Sequence, residues 1–114
     1  MQPALLEKYQ PIPDKEPQVT AHVRTVLRDI LDDTMRADDY TTQSWKEVSD
    51  NRKLSEATIK SLGRLVSLTL VDRNEESGKR SYRYRVEFEN NTVLQRFLFD
   101  EQNKIISCPA EDVR

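Results

Sequence analysis

Few residues in this chain have the types and spacing that chemistry needs. Asp38, Asp39 and Tyr40, in "ADDY", offer carboxylates and a phenol that could stand at a pocket mouth as an acid–base set. The simpler reading of the same residues is a polar loop between two helices, with the tyrosine packed back. His22 is the single histidine, one turn into an amphipathic helix, and a metal there would need carboxylate partners and Cys108 in concert. Cys108 has neither a histidine neighbour nor a Cys-x-x-Cys context, so it reads as an inert, half-buried thiol. Gly63 and Gly78 are the only glycines, which leaves no phosphate-cradling loop. No catalytic residue, metal site or cofactor is expected. If the chain is part of a larger polypeptide, catalysis belongs to another part of it.

Two further sets are candidates for binding rather than catalysis. Tyr40, Trp45, Tyr82, Tyr84 and Phe97 could line a cavity for a small apolar ligand, the tyrosine hydroxyls supplying its polar contacts. The competing reading is that a domain this small needs every one of them to fill its core. Arg83, Arg85 and Arg96, with Leu94 and Leu98, form a mixed basic and aliphatic set of the kind found at protein interfaces.

Composition bounds what these residues can serve. At 114 residues and 36% hydrophobic, the chain has material for one small core and not two. Charged residues make up 33% yet the net charge is only −2, so both signs are interspersed and a phosphate backbone is not the expected partner. No apolar run has the length of a membrane span, and "MQPALLEKYQPIPDKEP" lacks the basic and apolar segments of a signal peptide. A cytoplasmic location is the default expectation.

The elements that must position the candidates follow from periodicity. Pro3, Pro11, Pro13 and Pro17 lie among charged residues, so residues 1–18 read as an extended lead-in or linker. From Val19 the apolar residues Val23, Val26, Leu27, Ile30, Leu31 and Met35 recur at helical spacing. A second helix, capped by Thr41 or Thr42, carries Trp45 and Val48, and a third, "EATIKSLG", starts after Ser55 and stops at Gly63. Beyond Gly63 the period falls to 2: "LVSLTLVD", a turn at "EESGK", the hairpin "SYRYRVEFENNTVLQRFLFD", and the short strand "IIS". The expected fold is α+β, three N-terminal helices on one face of a curved four-stranded antiparallel meander, with the domain at 19–108 and a C-terminal tail at 109–114.

A two-residue turn at Asn90–Asn91 fixes a register in which opposite residues sum to 181. Tyr82 then faces Phe99, Tyr84 faces Phe97, Val86 faces Gln95 and Phe88 faces Val93, which marks the core side. The outer side places Arg85 opposite Arg96, a repulsive pair unless anions such as Glu87, Glu89 or Asp72 relieve it.

The run from Leu62-Gly63 through Leu65 and Ser67, with Tyr82, Tyr84, Val86, Glu87 and Phe88 in the long strand and "FDEQNKI" at its end, resembles the cystatin-like α+β domains of the nuclear transport factor 2-like superfamily. Within it, the chain is similar to the accessory domain that follows the catalytic domain in some bacterial serine hydrolases of the β-lactamase type. That resemblance covers about Val19 to Ser107. It implies a cone-shaped half-barrel wrapped on the long helix, an open end that holds a ligand in larger relatives, and an outer sheet face that often forms a dimer. It also implies an extracytoplasmic location if the chain is excised from an exported hydrolase.

The expected function is therefore a non-catalytic binding or docking module, packing on a partner or parent catalytic domain or self-associating as a homodimer through the outer face. A small-molecule or isomerase-like pocket on the same fold is the alternative. A winged helix is a further one, with Lys60, Arg64, Lys79 and Arg80 on phosphates. The Tyr40 and Trp45 spacing also echoes the Tctex-type dynein light chain, whose final strands are missing.

Overall fold

The computed structural model describes residues 5–114, and its elements follow the expected order with additions at both ends. Helices α1 (Leu5–Lys8), α2 (Pro17–Asp32), α3 (Thr42–Leu54) and α4 (Glu56–Leu62) precede strands β1 (Leu65–Glu76), β2 (Lys79–Phe88), β3 (Thr92–Phe99), β4 (Ile105–Ser107) and β5 (Ala110–Val113). The strands form one open antiparallel sheet in the order β1-β2-β3-β4, with β5 also on β3. The fold is α+β, with four helices where three were expected and five strands where four were.

Helix α2 starts where Pro17 presets the backbone at its first turn. It ends three residues before Met35 because Asp33 turns left-handed, at φ 58°, and Thr34 N–H returns to the Asp29 carbonyl at 2.9 Å. Val23, Val26 and Leu27 are buried along its inner stripe. Thr41 caps α3 by accepting from Ser44 N–H, whereas Ser55 makes no side-chain cap to α4. Gly63 closes α4 at φ 78°, and a Cβ there would lie 2.8 Å from the Glu89 Cβ, so no other residue fits.

The core lies between α2–α4 and the face of the sheet carrying Tyr82, Tyr84, Val86, Phe88, Val93, Phe97 and Phe99, together with Tyr40 and Ile105. This is the face that the alternation assigned. The register differs: Tyr82 faces Phe97, Tyr84 faces Gln95, Val86 faces Val93, and Arg83 rather than Arg85 faces Arg96. The pairs sum to 179, two less than expected, because the loop is longer than two residues. Phe88 N–H bonds the Asn91 carbonyl at 2.8 Å, while Glu89 and Asn90 N–H bond the carbonyls of Arg64, just after α4, and of Leu62, its last residue. Neither asparagine adopts positive φ, so the two-residue turn does not form. A shift of two preserves the face of every side chain, which is why the core side was right and the partners were not.

The proline-rich segment is not a free lead-in. Its residues 1–4 lie outside the described part; the rest wraps around the β1 edge. Leu6 and Tyr9 pack with Val71 and Leu94 on the outer face of the sheet. Ile12 N–H then bonds the Leu70 carbonyl at 3.0 Å, next to the register shift between Leu70 and Asp72. On the core side Asp14 accepts from Thr20 Oγ1 at 2.5 Å and Glu16 from the Tyr82 hydroxyl at 2.9 Å. Helices thus lie on both faces, α2–α4 on one and α1 on the other.

The residues expected as a tail also join the sheet. Val93, Leu94 and Gln95 pair with β5, and Leu98 and Phe99 with β4. Between these strands the Pro109 carbonyl accepts from Arg96 N–H at 3.0 Å. β4 and β5 are one edge strand interrupted at Pro109, a residue that edge positions tolerate because its missing N–H faces no neighbour.

Candidate functional site

The expected pocket residues do not line a pocket. Tyr82, Tyr84, Phe97 and Tyr40 are all buried, and Trp45 packs on Tyr40 with ring centroids 5.6 Å apart. Tyr84 and Phe97 meet edge to face at 6.1 Å, as do Tyr82 and Phe99 at 5.7 Å. Such rings have no free face for a ligand. The Tyr84 hydroxyl lies 3.0 Å from Thr20 Oγ1, and burial pushes its pKa up to about 12. The Tyr82 hydroxyl donates to Glu16, so these two hydroxyls are occupied inside the protein.

The outer-face arginines are largely engaged within the chain. Arg83 Nη1 donates to Asp72 at 2.6 Å and Nε to Glu111 at 2.7 Å, while its guanidinium sits 5.2 Å from the centre of the Tyr9 ring. Asp72 thereby supplies the relief that the sequence left conditional. Arg85 Nη2 donates to the carbonyls of Leu6 and Tyr9 at 3.3 and 3.2 Å. Leu94 is only 1% exposed, beneath Leu6. Arg96 and Leu98 remain half-buried, and Arg96 Nε is buried with no partner among the described residues.

The four winged-helix cations do not share a surface. Lys60 and Arg64 flank the start of β1 and pair with Glu56 and Glu89, at 3.5 and 3.1 Å. Lys79 and Arg80 lie beyond the other end of that strand, roughly 35 Å away for its length.

His22 Nε2 stands 3.8 Å from Asp39 Oδ1, too far for a hydrogen bond. The two line a polar hollow of about 350 Å³ with Asp38, Arg80 and Lys104. Both cations there are tied down, Arg80 to the Asp100 carbonyl at 3.4 Å and Lys104 to the Asp38 carbonyl at 2.8 Å. Tyr40 points to the core, so the imagined carboxylate–phenol set is split between two environments.

An opening of different character lies between the C-terminal half of α2, helices α3 and α4, and the end of the sheet. It is a groove of about 380 Å³. Leu27, Ile30 and Leu31 form its α2 wall, Val48, Ile59 and Leu62 its α3 and α4 side, and Phe88 and Val93 its floor. Cys108, Pro109, Ala110 and Val113, from the interrupted edge strand, make the remaining rim, with Val113 54% exposed. Along the groove α3 and the short α4 meet at Ser55, and the edge strand contributes the small Ala110.

Its polar groups are few. Gln95 Nε2 donates to the Cys108 carbonyl at 2.9 Å. Burial pushes the Cys108 thiol up to about 11, which keeps it protonated and slow to react near neutrality. Among the described residues, no carboxylate and no histidine lines the groove. Arg52 is the one charged residue among its described lining, 7% exposed, its Nε donating to the Ile30 carbonyl at 2.8 Å. That bond satisfies a carbonyl of the last turn of α2.

Arg52 was missed at the sequence level, where it passes for a solvated charge. The signal was present: Trp45, Val48 and Arg52 stand at i, i+3 and i+7, so the arginine continues the inward stripe of α3. No helix among the described residues is long and apolar enough to cross a membrane. Comparison with protein-family models, curated proteins and solved structures gave no match.

Proposed function

We propose that this chain is a non-catalytic binding module that takes a small apolar ligand in the groove between α2–α4 and the β3–β5 end of the sheet. One observation carries the reading: the aromatic core is closed, while an aliphatic groove of about 380 Å³ beside it is left open. That volume falls in the range of small-molecule sites, and an apolar wall with few polar groups is their usual make-up. The absence of a carboxylate or histidine among the described residues along it favours binding over an isomerase-like reaction, which needs a group titrating near neutrality. The cone-shaped, nuclear transport factor 2-like arrangement belongs to the same proposal. It is supported by a long helix lying on an open antiparallel sheet with a groove at one end.

The test is titration with N-phenylnaphthylamine, a neutral dye that brightens in apolar surroundings. Wild-type protein is expected to bind it saturably. Ala110→Phe, which fills the rim, is expected to weaken that binding about tenfold or more with no fall in Tm. No saturable binding to folded wild-type protein, or equal binding to both proteins, would sink the reading.

Docking through the outer sheet face is the second reading, favoured by Arg96 and Leu98, which stay partly exposed there. It predicts a mass in solution that rises with concentration and falls back in Arg96→Glu. A strict monomer in sedimentation would remove self-association from it.

A further inference from the structure

The groove carries a feature that a purely apolar ligand would leave unused. An arginine carries five N–H donors, and one whose side chain is largely buried ordinarily has most of them hydrogen-bonded. Arg52 makes one hydrogen bond among the described residues, through Nε to Ile30. Its two nearest carboxylates are Asp33 at 4.0 Å from Nε and Glu56 at 3.8 Å from Nη1, both beyond hydrogen-bonding distance. Asp33 and Glu56 are also 72% and 52% exposed, so water takes most of their charge, and Glu56 is shared with Lys60. The backbone-capping role of Arg52 therefore explains its Nε; the terminal N–H groups of the fork make no hydrogen bond among the described residues and are not fully buried, so they stay open to solvent and to a ligand beside a long ion pair to Glu56.

We propose that the groove takes an aliphatic carboxylic acid, with the carboxylate on the terminal N–H groups of Arg52 and the hydrocarbon chain along Leu27, Leu31, Ile59 and Val93. This rests on the binding reading above and names its ligand class. The planar fork of arginine matches the two oxygens of a carboxylate, and removal from water strengthens the pair. The wall chemistry selects the other half: branched aliphatic side chains with Phe88 as the lone ring suit a flexible chain better than a flat aromatic ligand. A cationic amphiphile is disfavoured, because it would bring a like charge to Arg52, and Asp33 and Glu56 beside that arginine are not among the described residues lining the groove.

The experiment displaces N-phenylnaphthylamine from wild-type protein with decanoate, decanol and decylamine, below their micelle concentrations. Decanoate is expected to displace the dye about tenfold more effectively than decanol, and decylamine least of all. Decanoate is also expected to slow the alkylation of Cys108, the single cysteine and a groove residue. In Arg52→Gln the advantage of decanoate over decanol should vanish while decanol is unaffected; should that variant fail to fold, the wild-type series decides alone. Equal displacement by acid and alcohol, or none by either, with the dye still bound, overturns the carboxylate assignment and leaves the groove reading standing. Absence of dye binding overturns both.

Discussion

At the scale of single residues, the polar atoms next to the core explain why the chain needs its proline-rich segment. Tyr84 is fully buried, and its hydroxyl must find a partner or forfeit its hydration. Thr20 Oγ1 gives its own proton to Asp14, so the tyrosine donates to Thr20 and a relay of three residues ends on a solvated carboxylate. Tyr82 ends its relay on Glu16 in the same way. Arg85 performs the matching task on the outer face, where it is the donor to the carbonyls of Leu6 and Tyr9. Arg85→Ala should therefore lower stability by about 2 kcal/mol in urea denaturation, the scale of a charge-assisted hydrogen bond, while leaving the mass in solution unchanged. A variant of undiminished stability that associates differently would return Arg85 to the role of an interface residue. Alternation in "SYRYRVEF" was enough to put Tyr82 and Tyr84 inward and Arg83 and Arg85 outward. What Arg85 touches was not legible, because its acceptors are backbone carbonyls of a segment some 76 to 79 residues away.

At the scale of elements, the strap formed by α1 and the residues up to Pro17 carries the main departure from expectation. Four prolines among charges read as a linker because composition reports local stiffness and says nothing of long-range contacts. Only Leu6, Tyr9 and Ile12 hint at a docked segment, and a four-residue helix has too few turns to show a period. β5 escaped for a related reason: "AEDV" has no alternation, and it is a strand because β3 offers it an edge. The long α2 and the strands β1 to β3 were legible because their patterns run over many residues. The groove was not, since it is a gap between elements, and a sequence encodes side chains but not the space they leave. If the strap is held by the packing described, Leu6→Ala exposes Val71 and Leu94 and should destabilise by about 2 kcal/mol, the low end for buried leucine truncations, read as a shift in urea midpoint at unchanged slope. An unaltered midpoint would mean that α1 contributes nothing to the fold.

At the scale of the whole molecule, the same buried groups set how stability follows pH. Burial works to raise the pKa of Glu16, but hydrogen bonds from Arg73 and Tyr82 and the charges of Arg73 and Arg80 outweigh it, so the carboxyl titrates below its ordinary 4.5. Its contribution is present above that value and is lost as pH falls through the lower, folded pKa, because only then does the native state take up the proton that the unfolded chain already holds. The alkaline limb has the opposite sign. Burial raises Cys108 from 9.0 to about 11 and Tyr84 from 10.0 to about 12, and Tyr40 and Tyr82 rise as well. Above pH 9.0 the unfolded chain releases the thiol proton while the folded protein retains it, so stability declines from there and more steeply once the tyrosines of the unfolded chain ionise. Urea midpoints measured from pH 3 to 11 should trace a plateau bounded by these two limbs. Cys108→Ala separates the contributions: it should delay the alkaline decline to the tyrosine range, near 10.0, and leave the acid limb in place. A decline that still begins at 9.0 in that variant would show that Cys108 is not the buried thiol of the groove, and would remove it as a reporter of ligand there.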